Sequence, residues 1–392
     1  MILTKKILAV TLMLPFSTLA FSGSSCISDD WLTKNDQVFA TDCAAMAFDQ
    51  SLEDRQTIAW MLFTRANQLI DDPTNGGFSN SGKVPFWMAL PTDPDTFASK
   101  KPFLFKNTPR SGMKPSVEKS DILAGNLTTA FPDHANEEVT RNSISYNYLI
   151  KSGLTTKADV AQFFKTNDYV NMPVGSIEMK SSWLKVTEGS PLPEGALTFK
   201  FDSGEYWWRG LHIMAKMREL KDPTDTFYTD DPSWFWTTFE FNNGNGVKHV
   251  RETFTTQRFP LDQGQIESIL VAGGISGFGF ENYAPNGTQI GFTVDGAGDI
   301  PVLLGNTTME APFGSPNTAQ PQYWKEFESS CHSCHANAAY NPDTKEFFPR
   351  MAVPIGALHP GFNKKDKAKI TRYLGQGYKT LDFMWPIVSN AH

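Results

Sequence analysis

Residues 206–216 read YWWRGLHIMAK. Trp207, Leu211 and Ile213 alternate with Trp208, His212, Met214 and Lys216, the period-two pattern of a strand with one face on a core. A helix over residues 206–220 is the alternative reading of the same run. The neighbouring runs alternate too. Residues 175–186 (GSIEMKSSWLKV) set Ile177, Met179 and Ser181 against Glu178, Lys180 and Ser182. Residues 233–241 (SWFWTTFEF) set Phe235, Phe239 and Phe241 against Trp234, Trp236, Thr238 and Glu240. Asp222-Pro223 and Asp231-Pro232 punctuate the link between the last two runs as turns. Three successive strands predict an antiparallel sheet within an α+β fold.

Outward from the sheet, residues 50–70 carry Leu52, Ile58, Met61, Leu62 and Leu69 at helical spacing, stopped by Asp71-Asp72-Pro73. Residues 142–151 read as a short helix, and 156–164 as another opened by a Thr cap. Residues 75–115 are rich in Gly, Pro and aromatics and read as loop. Residues 273–305 are Gly-rich, with strand fragments such as 288–294. After residues 316–321 come a short amphipathic helix with Tyr323, Trp324 and Phe327, a Cys/His cluster, and a helical pattern over 364–374.

The N-terminus reads as an address. Lys5 and Lys6 precede an apolar stretch from Ile7 to Phe21, and Thr18-Leu19-Ala20 places small residues where a signal peptidase reads. The expectation is a signal peptide over 1–20, a mature chain starting near Phe21, and a periplasmic or otherwise exported protein. An uncleaved N-terminal anchor is the alternative. After residue 20 no apolar run is long enough to span a bilayer, so no stable membrane insertion is expected after cleavage. Cys26 and Cys43 then fall in an oxidising compartment, where a disulfide closing a short loop competes with two unpaired thiols. With 35 Lys+Arg against 42 Asp+Glu the formal net charge is −7. That balance excludes a general nucleic-acid binder, which needs a basic face to displace counterions.

Cys331-His332-Ser333-Cys334-His335 is C-x-x-C-H, the attachment signature of a c-type haem. Two thiols at this spacing add to the two vinyl groups of haem, and the following His335 supplies the proximal imidazole to the iron. One motif implies one covalent haem c, held by Cys331, Cys334 and His335. A structural zinc site lacks a second Cys pair, and a redox dithiol needs a strand before the motif and a helix starting at its first Cys. The sixth iron ligand is open. Met351, in Pro349-Arg350-Met351-Ala352-Val353-Pro354, is the nearest candidate distal ligand. His359, Met384, Met309 and His212 are others, as is an open coordination position.

The chain resembles a family of exported bacterial cytochrome c family proteins with a long N-terminal region and a single C-terminal C-x-x-C-H. The resemblance spans residues 139–385. It rests on the haem motif and on Val174 to Trp183 (VGSIEMKSSW), Gly210-Leu211-His212-Ile213, Trp234 to Glu240 (WFWTTFE), Gly305 to Glu310 (GNTTME) and Asp382-Phe383-Met384-Trp385. Where the family carries His after Phe-Glu, this chain has Phe241. The resemblance implies haem binding and redox work.

The residues themselves suggest where a second site lies. Glu178, Lys180, His212 and Glu240 each occupy the polar face of one of the three strands, rimmed by Trp208 and Trp236. Coinciding faces would bring them together as a catalytic acid–base cluster facing the haem segment. A solvated sheet face with ordinary salt bridges is the alternative. The expected organisation is 1–20 signal peptide, 21–315 mixed α+β region, and 316–392 haem-binding segment. The large region before the motif favours an oxidoreductase acting on a small-molecule substrate or a redox partner protein. A non-enzymatic periplasmic electron carrier or haem-based sensor is the other class. The charged run Lys364-Lys365-Asp366-Lys367-Lys369 reads as a solvated helix face or a docking patch for an acidic redox partner.

Overall fold

The computed structural model describes residues 27, 41–72, 77–97, 136–189, 191–201, 204–220, 233–242, 261–291, 304–306, 331–335, 338–348 and 376–391. The expected signal peptide, Cys26, Met309, Met351, His359, the 323–327 helix and the 364–374 pattern lie outside the described residues.

The architecture is α+β, as expected. Strands β1 (Leu69–Asp71) and β2 (Lys83–Pro85) form a small hairpin. The main sheet is antiparallel in the order β3 (Asn136–Arg141), β4 (Ile177–Lys185), β6 (Gly204–Lys216), β7 (Trp234–Phe241), β8 (Tyr283–Gln289), with β5 (Thr198–Phe201) on β6. The alternation that marks β4, β6 and β7 in the sequence is thus realised, and the helical reading of 206–220 gives way to strand as far as Lys216. β3 and β5 are not marked by the sequence pattern, and β8 runs over Tyr283–Gln289, overlapping the fragment expected at 288–294 only at its end. A third sheet, in the order β10 (Glu346–Phe347), β9 (Ala339–Asn341), β11 (Lys379–Thr380), belongs to the C-terminal part.

Helix α2 (Leu52–Ala66) follows α1 (Thr41–Phe48). It opens on a capping box: the Ser51 hydroxyl accepts from Asp54 N, and the Asp54 carboxylate accepts from Ser51 N, both at 3.1 Å. The sequence pattern carried this helix to residue 70, but it ends at Ala66. Asn67 caps it there, donating from Nδ2 to the Phe63 carbonyl at 2.8 Å and accepting from Trp87 Nε1 at 3.1 Å. Leu69 stays in helical phase but pairs with Pro85 in the hairpin. Within the expected 75–115 loop, β2 and the short α3 (Asp93–Phe97) are ordered structure. Helices α4 (Ser143–Lys151) and α5 (Lys157–Phe163) appear as expected, each with a side-chain cap, Asn142 and Thr156. Asn142 also donates to Gly175 O at 2.7 Å and accepts from Ile177 N at 3.1 Å, which seats α4 against the start of β4.

The main sheet is covered on both faces. On one, α2 and a helix at Gln263–Ala272 pack Trp60, Phe63, Leu62 and Leu270 onto Met179, Trp183, Leu211, Ile213 and Phe239. Phe63 stacks on Phe239 at 4.1 Å, and Trp60 meets the same ring edge-on at 5.0 Å. Full burial of such side chains contributes about 1.5–3 kcal/mol each. On the other face Met214, Trp234 and Trp236 share a cluster with α4, α5 and the C-terminal residues Ala338, Tyr340, Leu381, Phe383 and Met384. The C-terminal part therefore shares its core with the sheet.

One face assignment is corrected. Ser182 pairs with Gly210 but Trp183 pairs with Trp208, so Arg209 is an extra residue in β6. Such a bulge flips the side-chain phase beyond it. Trp208 therefore joins Leu211 and Ile213 in the core, fully buried, and does not rim the polar face. Trp207 takes the opposite phase, its ring under the Arg209 guanidinium at 5.0 Å.

Candidate functional site

The C-x-x-C-H motif forms a single helical turn, Cys331–His335. It is tied to the sheet and the C-terminal turn at three points. The His332 amide donates to Gln289 Oε1, at the end of β8, at 2.9 Å. Cys331 Sγ lies 3.7 Å from the Leu304 carbonyl. His335 Nδ1 meets the Phe383 carbonyl oxygen at 2.8 Å. A carbonyl oxygen only accepts, so Nδ1 carries the proton and the lone pair of this imidazole sits on Nε2. The ring lies 4.7 Å from that of Trp236 on β7.

Cys331 is half-buried and not disulfide-bonded. The side chain of Cys334 lies outside the described residues. His332 is buried between Phe383, at 4.6 Å, and Trp236, at 6.4 Å. Burial, and secondarily the charge of His335, pushes its pKa down to about 3, so it stays neutral in the working range. Among the described residues no group of three His, Cys, Asp or Glu is arranged to hold a bare metal ion.

Behind the motif lies a polar cluster with no counterpart in the sequence reading. Asp382, fully buried, accepts from Lys216 Nζ at 2.6 Å, Trp234 Nε1 at 2.9 Å and Met172 N at 2.7 Å. Lys216, also fully buried, donates in addition to Asn171 Oδ1 at 2.5 Å. Lys216 lies on the polar face of β6, and Asp382 opens the run Asp382-Phe383-Met384-Trp385. Those were the signals available, but nothing local pairs two residues so far apart in the chain.

The four tentative catalytic residues share one face of the sheet. Lys180 stands directly opposite His212, and His212 opposite Thr238. Glu240 stands opposite Gly210, one row away, and Glu178 opposite Met214, one row in the other direction. This is the face that meets the C-terminal cluster through Met214, Trp234 and Trp236. Their individual partners differ, however. Lys180 pairs with Glu137 of β3 at 3.4 Å. Glu178 belongs to a buried network: it accepts from Arg141 Nε at 3.0 Å and Ser145 Oγ at 3.1 Å, and Arg141 also pairs with Asp93. Burial and the nearby Asp93 push the Glu178 carboxyl up, against the pull of Arg141. Glu178 is thereby a structural tie among α3, β3, β4 and α4, while Lys180, His212 and Glu240 remain the polar patch.

A strap crosses this face. Asn306 donates to Thr238 Oγ1 and to the Phe239 carbonyl, both at 3.2 Å, and Asn286 donates to the Gly305 carbonyl at 2.8 Å. It passes over Gly210, where a Cβ would stand 2.6 Å from Asn306 Nδ2. The strap thus links the patch to the Cys331 end of the C-x-x-C-H motif through Leu304.

No family model, curated protein or solved structure matches this chain.

Proposed function

We propose that the chain is an exported c-type cytochrome family protein: an oxidoreductase with one covalent haem on Cys331 and Cys334 and His335 as proximal ligand. The single observation that carries the reading, beyond the motif, is the bond from His335 Nδ1 to the Phe383 carbonyl. Proximal histidines donate their second ring nitrogen in this way, which fixes the tautomer and presents Nε2 to the metal.

When bound, the haem supplies a one-electron ferric/ferrous couple. The chain's own residues do the rest. His335 orients through Phe383. The Trp236 ring lies against the His335 ring, and neutral His332 adds no charge beside it. Lys180, His212 and Glu240 offer a place to hold a substrate or partner proton on the same sheet face. The sixth position would be open or filled by Met351, His359, Met309, Met384 or His212.

The test is haem staining after denaturing electrophoresis of protein made with c-type maturation machinery. The wild type should stain and the Cys331→Ala/Cys334→Ala double variant should not. Staining of the double variant overturns the reading. The intact mass of the mature protein, expected to begin near Phe21, tests export in the same preparation.

A further inference from the structure

We infer that Asp382 and Lys216 are positioning residues for His335: their buried ion pair holds the turn whose Phe383 carbonyl receives the Nδ1 proton. The inference rests on the haem reading for its redox consequence, but its geometric content concerns this chain alone.

The turn needs holding. Asp382 and Phe383 have φ of 50° and 64°, two consecutive non-glycine residues in the left-handed region. Asp tolerates that region, whereas Phe does so at a cost of about 1–3 kcal/mol. Such a conformation persists only where its surroundings over-determine it. Here the Asp382 carboxylate is gripped from β6 by Lys216, from β7 by Trp234 and from the backbone of Met172. The Leu381 amide is anchored on the Ala338 carbonyl at 3.0 Å. The Phe383 carbonyl accepts twice, from His335 Nδ1 at 2.8 Å and from the Trp385 amide at 2.9 Å.

A buried ion pair is a poor device for stability alone, because desolvation consumes most of the Coulomb gain. Its use here is geometric. β7 also carries Trp236, whose ring lies 4.7 Å from that of His335, so Trp234 and the neighbouring Lys216 hold the turn in the same frame as the His335 ring. A firm Nδ1–H···O bond gives Nε2 imidazolate character, which favours ferric iron and lowers the reduction potential. Loosening the turn weakens that bond and admits the Nε2–H tautomer, which cannot ligate.

The experiment compares wild type, Asp382→Asn, Lys216→Met and the charge-free double variant Asp382→Leu/Lys216→Met, which leaves no uncompensated buried charge and so guards against simple unfolding. Asp93→Asn, which disturbs the other buried ion pair, is the control. The readouts are hydrogen exchange of the His335 Nδ1 proton in the ferrous holoprotein and the midpoint potential. Exchange should be about tenfold faster in each Asp382 or Lys216 variant, as loss of about 1.4 kcal/mol of hydrogen bonding requires, and the potential should rise. The Asp93 control should lose thermal stability with both readouts unmoved. Folded variants with wild-type exchange and potential overturn the inference, as does a wild type whose proton sits on Nε2. A wild type without covalent haem would instead sink the functional reading. The ring-nitrogen shifts of ¹⁵N-labelled His335 in the same haem-free proteins would then decide the tautomer question.

Discussion

His335 Nδ1 and the Phe383 carbonyl oxygen lie 2.8 Å apart although 48 residues separate them. The contact joins the end of the C-x-x-C-H motif to the left-handed turn before the helix Trp385–Asn390. Under the proposed function the imidazole is a ligand while the thiols hold the cofactor covalently. His335→Ala should therefore keep the haem stain on a denaturing gel yet lose the native visible spectrum. An unchanged spectrum would remove His335 from the proximal position.

Arg141 is fully buried between Asp93 and Glu178. Arg141→Met leaves two carboxylates without their cation, and urea unfolding should show a loss of about 3–5 kcal/mol. A loss under 1 kcal/mol would mean that water reaches this network.

Glu178→Gln keeps an acceptor for Arg141 and Ser145, so it should cost far less than Arg141→Met. Its effect on pH dependence has a definite sign. Burial holds the folded carboxyl above its ordinary 4.5, so the folded state binds more protons than the unfolded state just above that pH. That contribution is complete below pH 4.5 and is lost as pH rises through the folded value. The stability of wild type relative to Glu178→Gln should fall over that interval. A relative stability that rises there would show that Arg141 dominates instead.

Gly210 lies where the 304–306 strap crosses β6. A Cβ there meets Asn306 Nδ2 and the Phe239 carbonyl, each at 2.6 Å, and the second of these is backbone. Gly210→Ala should cost about 1–3 kcal/mol and raise amide exchange at Gly305 and Asn306. An unshifted thermal midpoint would show that the strap yields freely.

Cys43 is disulfide-bonded, with its partner outside the described side chains. Ile27 is buried in the same cluster as Cys43. Non-reducing peptide mapping should link Cys43 to Cys26, and reduction should cost about 3 kcal/mol for a loop of this size. Two alkylatable thiols would argue against both the bridge and export.

Much of the central sheet was legible because strand alternation is a property of near neighbours. Ile177, Met179, Leu211, Ile213 and Phe239 declared the core face, and the structure places them there. Trp208 was misassigned because Trp207 and Trp208 are equally apolar, and only the pairing with Trp183 shows that Arg209 is extra. The end of α2 was missed for a similar reason: Leu69 fits the helical stripe, while the stop comes from Asn67 reaching Phe63 and Trp87.

The C-x-x-C-H spacing is a local feature of the sequence, and the proposed haem attachment draws on that spacing alone. The common face of Lys180, His212 and Glu240 follows from alternation alone, once strands are granted. What holds His335 is another matter. Lys216 and Asp382 stand 166 residues apart, and their meeting depends on where the C-terminal turn crosses the ends of β6 and β7. A lysine at a strand end reads equally well as a solvated side chain, and a lone aspartate before Phe-Met-Trp as a cap. Local pattern set the period, the polar face and the thiol spacing. The chain's path through space, governed by packing between distant apolar residues, set the bulge, the strap and the carbonyl that faces the histidine.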